Sequence, residues 1–138
     1  MIKINDCVVS WASKKQATVA LSTAESEYYA ISAATQQLIW TKQLLGEITM
    51  GMSDIKAIIK TDSQSAMAMT SKDNMHNRTK HIDIKHHFVR DHIKNKTMEI
   101  QWVPTHHQLA DILTKPLAKI QYERMRDRIN EWYEGDQE

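Results

Sequence analysis

The apolar positions of this chain change period several times, and each change marks an element. Met1-Ile2-Lys3-Ile4 and Cys7-Val8-Val9-Ser10-Trp11-Ala12 are short apolar runs separated by the turn pair Asn5-Asp6, which predicts a hairpin. From Ser22 the period lengthens: Tyr28, Ile31, Thr35, Leu38, Ile39 and Leu45 recur at helical spacing, and Gly46 stands where a C-terminal cap glycine belongs. Ser22 and Glu25 form a capping box, with Glu25 expected to reach back to the Ser22 backbone N–H. After a loop around 50–54, the run from Ile55 to Thr61 reads as a strand, and Ala57-Ile58-Ile59 gives it an interior character.

Asp62-Ser63 ends that strand, and a short helix from Ser63 to about Thr70 follows. A polar stretch from Ser71 to Arg78 leads to a second helix patterned on Ile82, Val89 and Ile93. Between Thr97 and Val103, apolar Met98, Ile100 and Trp102 alternate with polar Glu99 and Gln101, the period-two signature of a half-exposed strand stopped by Pro104. Leu109 to Thr114 can make one or two helical turns before Pro116, and a last helix from about Ala118 to Trp132 is expected to turn Ile120, Met125, Ile129 and Trp132 inward. The order β-β-α-β-α-α-β-α-α is an α/β pattern, with an antiparallel pair first and parallel strands joined by helical crossovers in one mixed sheet.

Composition narrows the class without choosing a partner. The 138 residues suit one domain large enough to bury a core without disulfides, and the single cysteine, Cys7, reads as a small buried hydrophobe in a reducing compartment. No apolar stretch approaches bilayer length and the N-terminus lacks signal-peptide architecture, so the expectation is an intracellular protein, cytoplasmic or nuclear, with no membrane partner. A net charge of +1 neither demands nor excludes nucleic acid. Lys14, Lys15, Arg78, Lys80, Lys85 and Arg90 are local basic positions, while 133–138 reads as an acidic tail after a domain over 1–132.

Three carboxylates stand where ligands gather in α/β proteins: Glu27 in the first turns of the long helix, Asp62 at a strand end, and Asp111 opening a helix after the last strand. Clustered carboxylates repel unless a hard cation compensates them, and Mg²⁺ takes oxygen ligands while keeping waters. Two such ions about 4 Å apart activate a water and stabilise the leaving oxygen of a phosphodiester.

The strings around these acids are more specific than the acids. Ile59-Lys60-Thr61-Asp62-Ser63-Gln64-Ser65-Ala66 resembles the strand-to-helix motif of the ribonuclease H family, Glu27-Tyr28-Tyr29-Ala30 its helix motif, and Val103-Pro104-Thr105-His106 its histidine-bearing loop. Four strings, in order, look like the C-terminal ribonuclease H region of copia-type retrotransposon polyproteins: Ser10 to Gln16, Ser22 to Tyr28, Arg78 to Asp83, and Ala110 to Lys115. The resemblance runs from about Ile2 to Trp132. It implies a ribonuclease H-like mixed sheet flanked by helices, cutting the RNA of RNA–DNA hybrids with Mg²⁺ or Mn²⁺.

Carried over residue by residue, the resemblance makes Glu27, Asp62 and Asp111 metal ligands and His106 an assistant in proton transfer or product release. Lys14, Lys15, Ser63, Gln64, Arg78 and Lys80 become nucleic-acid contacts. Glu25 competes with Glu27, but the capping box already explains it and Ala30 then takes the family's small position.

In the family a central first strand carries a further Asp shared by both ions. Met1-Ile2-Lys3-Ile4 looks instead like the tail of the second strand, so the expectation is an incomplete site with weak or no hydrolysis. The exposed edge of the 55–61 strand should then be covered by the N-terminal hairpin or by a strand of a second copy, giving a homodimer. The competing class is a non-catalytic, domesticated module that binds nucleic acid or protein on the same fold. Zinc is disfavoured, because the histidines, including His81, His87 and His92, lack a zinc spacing and companion cysteines. Trp11, Trp40, Trp102 and Trp132 each lie on an apolar stripe and read as core.

Overall fold

The computed structural model describes residues 1–17, 19–51, 55–71 and 80–130. Its first large element is α1 (Thr23–Ile48). Ser22 takes the extended N-cap conformation and its hydroxyl accepts from the Glu25 N–H at 3.2 Å. Glu25 reaches back one residue further than expected, its Oε2 accepting from the Leu21 N–H at 2.8 Å. The helix also runs past Gly46, because the Thr49 N–H still finds the Leu45 carbonyl at 2.9 Å. The reversal falls on Met50 and Gly51, at φ 52° and 73°, where the Gly51 N–H closes on the Gly46 carbonyl at 2.8 Å.

The chain divides into two compact units, Val19–Val103 and a second made of Met1–Thr18 with Pro104–Glu138. In the first unit, β3 (Ile58–Thr61) leads through α2 (Gln64–Ser71) and α3 (Lys80–Lys94) to β4 (Glu99–Trp102). β3 and β4 are parallel, with Ile59 opposite Ile100 and Thr61 opposite Trp102. Alternation puts Ala57, Ile59 and Thr61 on the buried side and Lys60 on the exposed one.

α1 packs on β3, α2 and α3 around a core of Tyr28, Ile31, Ala57, Ile59, Ala66, Met69, Val89 and Met98. Four of the six buried residues of α1 are polar: Glu25, Ser32, Thr35 and Thr41. Thr35 and Thr41 tolerate burial because each hydroxyl donates to the carbonyl four residues earlier, at 2.9 and 2.8 Å.

In the other unit, β1 (Ile2–Ile4) and β2 (Cys7–Ser10) form the expected hairpin. Asn5 and Asp6 both have positive φ, 45° and 67°, which matches the right-handed twist of a two-residue hairpin. α4 (Lys119–Asn130) packs on β2 and on a 3₁₀ turn over Leu109–Leu113, with Met125 buried. Val8, Trp11, Ile112, Leu113, Tyr122 and Ile129 are among the residues lining an open apolar cleft of about 350 Å³ in this unit.

Several expectations are corrected. Among the described residues the strands make two two-stranded sheets, the hairpin in one unit and the parallel pair in the other, not the one mixed sheet expected. The hairpin closes through its own turn and satisfies its pairing locally. Ile120 is 81% exposed, so α4 buries Met125 from a different face. Cys7 is half-buried, not a core residue. Trp11, Trp40 and Trp102 are 67%, 57% and 44% exposed. Trp11 leads an exposed irregular segment, Trp40 lies off the Thr35–Thr41 stripe, and Trp102 sits past the edge of the core. Trp132 lies outside the described residues. None of the described helices is long and apolar enough to cross a membrane.

Candidate functional site

Asp62 follows the last residue of β3 directly and is half-buried. Its position is pinned from both sides by local bonds. The Ser63 N–H donates to Thr61 Oγ1 at 3.2 Å, and the Ser63 hydroxyl accepts from the Ala66 N–H at 3.2 Å, capping α2. Trp102 Nε1–H donates to the Asp62 carbonyl at 3.2 Å, tying the end of β4 to the same turn. The carboxylate thus hangs from a fixed backbone at the start of a helix, a setting that favours negative charge.

Glu25 and Glu27 separate by burial. Glu25 is 5% exposed, and its second carboxylate oxygen, Oε1, accepts from the Tyr29 hydroxyl at 2.9 Å. Lys85 Nζ covers the Tyr29 ring at 4.0 Å from its centroid. Two hydrogen bonds occupy the two Glu25 oxygens, so Glu25 holds the helix start. Glu27 lies two residues on, about half a turn round the helix, and is exposed, as is Ala30. Glu27 and Asp62 belong to the same unit, in which α1 packs on both β3 and α2.

Asp111 and His106 belong to the other unit. Asp111 is 6% exposed within the 3₁₀ turn and accepts from Lys115 Nζ at 2.8 Å, while its backbone carbonyl accepts from the Lys115 N–H at 2.9 Å. Asp111 therefore carries a cation partner of its own. Lys115 was not singled out from the sequence, although an acid followed four residues later by a lysine is the spacing that signals such a pair.

His106 is exposed in a 3₁₀ turn over Thr105–His107 and meets His107 edge to face at 4.3 Å. Lost hydration, then the positive neighbours His106, Arg128 and Arg124, lower the His107 imidazole below its ordinary value.

Lys14 and Lys15 are exposed in the irregular segment after β2, Gln64 is exposed in the first turn of α2, and the Ser63 hydroxyl is committed to its cap. Lys80 opens α3, its side chain lying outside the description, and Arg78 lies outside the described residues. His92 Nδ1 is bonded to Thr97 Oγ1 at 2.9 Å. Within each unit, among the described residues, no three His, Cys, Asp or Glu side chains gather as a metal site.

Over 121 residues, 88% of its length, the chain is 34% identical to the retrovirus-related Pol polyprotein from transposon TNT 1-94 of Nicotiana tabacum. Over 121 residues it is also 34% identical to the retrovirus-related Pol polyprotein from transposon RE2 of Arabidopsis thaliana. The chain spans only 9% and 8% of those two polyproteins. A stretch of 40 residues is 58% identical to secreted RxLR effector protein 161 of Plasmopara viticola, covering 29% of this chain and 28% of that one, a likeness too short to bear on the whole fold. No protein-family model matches the chain, and no solved structure does.

Proposed function

Because its homologues are Pol polyproteins of copia-type plant retrotransposons, we propose that this chain is the ribonuclease H-like region of such a polyprotein, acting on RNA–DNA hybrids. The observation that carries the reading is Asp62. It stands at the carboxyl end of a parallel strand pair, on a turn fixed by Ser63 and Trp102, inside the string that resembles the ribonuclease H motif. Exposed Glu27 from α1 of the same unit is its proposed companion.

The donor chemistry suits Mg²⁺ or Mn²⁺ in kind, since carboxylate oxygens on half-buried and exposed side chains leave room for waters. When bound, such ions supply a nucleophilic water and charge stabilisation at the leaving oxygen. The set suits them less well in number, because two carboxylates lie in one unit and the third is ion-paired to Lys115. Within the Val19–Val103 unit, Glu27 and Asp62 would hold such an ion and orient its water. Hydrolysis by this chain alone is expected to be weak.

The Lys115–Asp111 pair also favours a second reading, a non-catalytic module that binds nucleic acid on the same fold, self-associating through the open edge of β3. Hybrid cleavage with Mg²⁺ or Mn²⁺, comparing the chain with Asp62→Asn, separates the two. Cleavage lost on substitution supports the nuclease. Equal background in both, with hybrid still bound, supports the binding module, and light scattering then reports whether the binder is a dimer.

A further inference from the structure

Trp102 ends β4 on the same side as Met98 and Ile100, the side that faces the core by strand alternation. Met98 is 2% exposed, yet Trp102 is 44% exposed. The indole is nonetheless held: its Nε1–H donates to the Asp62 carbonyl at 3.2 Å, and Thr61 lies opposite it in the parallel register. With its N–H committed to a backbone carbonyl, the group this side chain still offers is the aromatic face. A flat π-surface accepts a nucleobase of any kind by stacking, and what sets this ring apart from the more exposed Trp11 and Trp40 is its bond to the Asp62 turn.

We infer that Trp102 is a stacking platform that positions a nucleotide of the nucleic-acid strand against the Asp62 turn. The inference rests on the reading of Asp62 as part of a nucleic-acid site. Its chemistry is independent of any ion, since stacking needs only the ring face and its fixed orientation. One hydrogen bond joins the platform to the residue that carries the carboxylate, so a base seated on the ring brings its phosphate towards the end of β3. Stacking tolerates any base, so Trp102 contributes position and affinity without choosing sequence.

The test uses the full chain and a short fluorescein-labelled RNA–DNA hybrid, with Ca²⁺ in place of Mg²⁺, read by fluorescence anisotropy. Trp102→Ala is expected to weaken binding roughly 5- to 100-fold. Trp102→Phe, which keeps a ring but loses the N–H that orients it, should bind more tightly than Trp102→Ala and more weakly than the parent. Trp40→Ala, another exposed tryptophan on α1, should leave binding unchanged. In a chain whose other three tryptophans are phenylalanine, Trp102 emission should be quenched as hybrid is added.

Trp102→Ala binding as tightly as the parent, with the parent's thermal midpoint, overturns the inference and leaves the proposed function standing. A parent that binds neither hybrid nor single-stranded RNA overturns both. Where Trp102→Ala does not fold, the quenching decides, and unquenched emission at saturating hybrid overturns the inference.

Discussion

Tyr28 offers the sharpest test of the core. Its side chain is 1% exposed, its ring stacks on His86 at 4.8 Å with planes 12° apart, and its hydroxyl donates to the His86 carbonyl at 3.4 Å. Burial pushes the phenol up to about 12 from an ordinary 10.0, with Arg90 pulling slightly the other way. The folded state therefore holds the phenolic proton more tightly than the unfolded chain does. That contribution is fully present below pH 10 and is lost as pH rises towards 12.

Two pK units correspond to about 2.7 kcal/mol in all, and the linkage relation puts about 1.4 kcal/mol of the loss before pH 11. Tyr28→Phe removes the titrating group and keeps the ring. At pH 8 it should cost under about 1 kcal/mol, because a 3.4 Å contact is long for an O–H···O bond. Urea unfolding of both proteins at pH 8, 10 and 11 cancels the lysines and other tyrosines they share. The parent should lose about 1.4 kcal/mol more than Tyr28→Phe between the first and last of these. Parallel pH profiles would refute the claim that burial holds this phenol neutral.

Three further outcomes follow from the described contacts. Glu25→Ala, which frees the Leu21 N–H and the Tyr29 hydroxyl, should lower stability by about 1–2 kcal/mol, whereas Glu27→Ala should cost less in urea and remove whatever hybrid cleavage the chain has. The reverse order would return the candidate ligand to Glu25. A double-mutant cycle on Asp111→Asn and Lys115→Ala should give a coupling of about 0.5–1 kcal/mol, modest because Lys115 is half exposed. A coupling of zero would mean that Asp111 is held by its turn alone. His107 should titrate below 6.5 by NMR, so that its share of stability is complete above pH 6.5 and shrinks as pH falls; a midpoint at or above 6.5 contradicts the charge cluster around it.

Most elements were legible in the chain because they follow from local rules. Period-two spacing located β4, helical spacing α1 and a continuous apolar run β3, and Asn5-Asp6 could make a hairpin turn because both residues tolerate positive φ. The strings Ser10 to Gln16, Ser22 to Tyr28, Arg78 to Asp83 and Ala110 to Lys115 carry the link to retrotransposon polyproteins. The end of α1 was misplaced because a glycine inside a helix looks like a cap until the backbone bonds beyond it are known.

What only the tertiary structure decided is the outer limit of the core and contacts between distant residues, such as Trp102 Nε1–H with the Asp62 carbonyl. Periodicity assigns a side chain to a face but cannot say where along that face burial stops, so Trp102 and Ile120 read as core and emerged exposed. Spacing of four residues makes the Glu25–Tyr29 and Asp111–Lys115 contacts possible, and the folded backbone realises them. The Tyr29 bond to Glu25 and the Lys115 bond to Asp111 took one carboxylate into the helix start and gave another a cation of its own. The sequence by itself determined the carboxylates, the strand end that carries Asp62 and the likeness to retrotransposon polyproteins. Packing decided how deeply each carboxylate is buried and gave Asp111 a lysine partner, because the folded chain sets which donors reach a carboxylate.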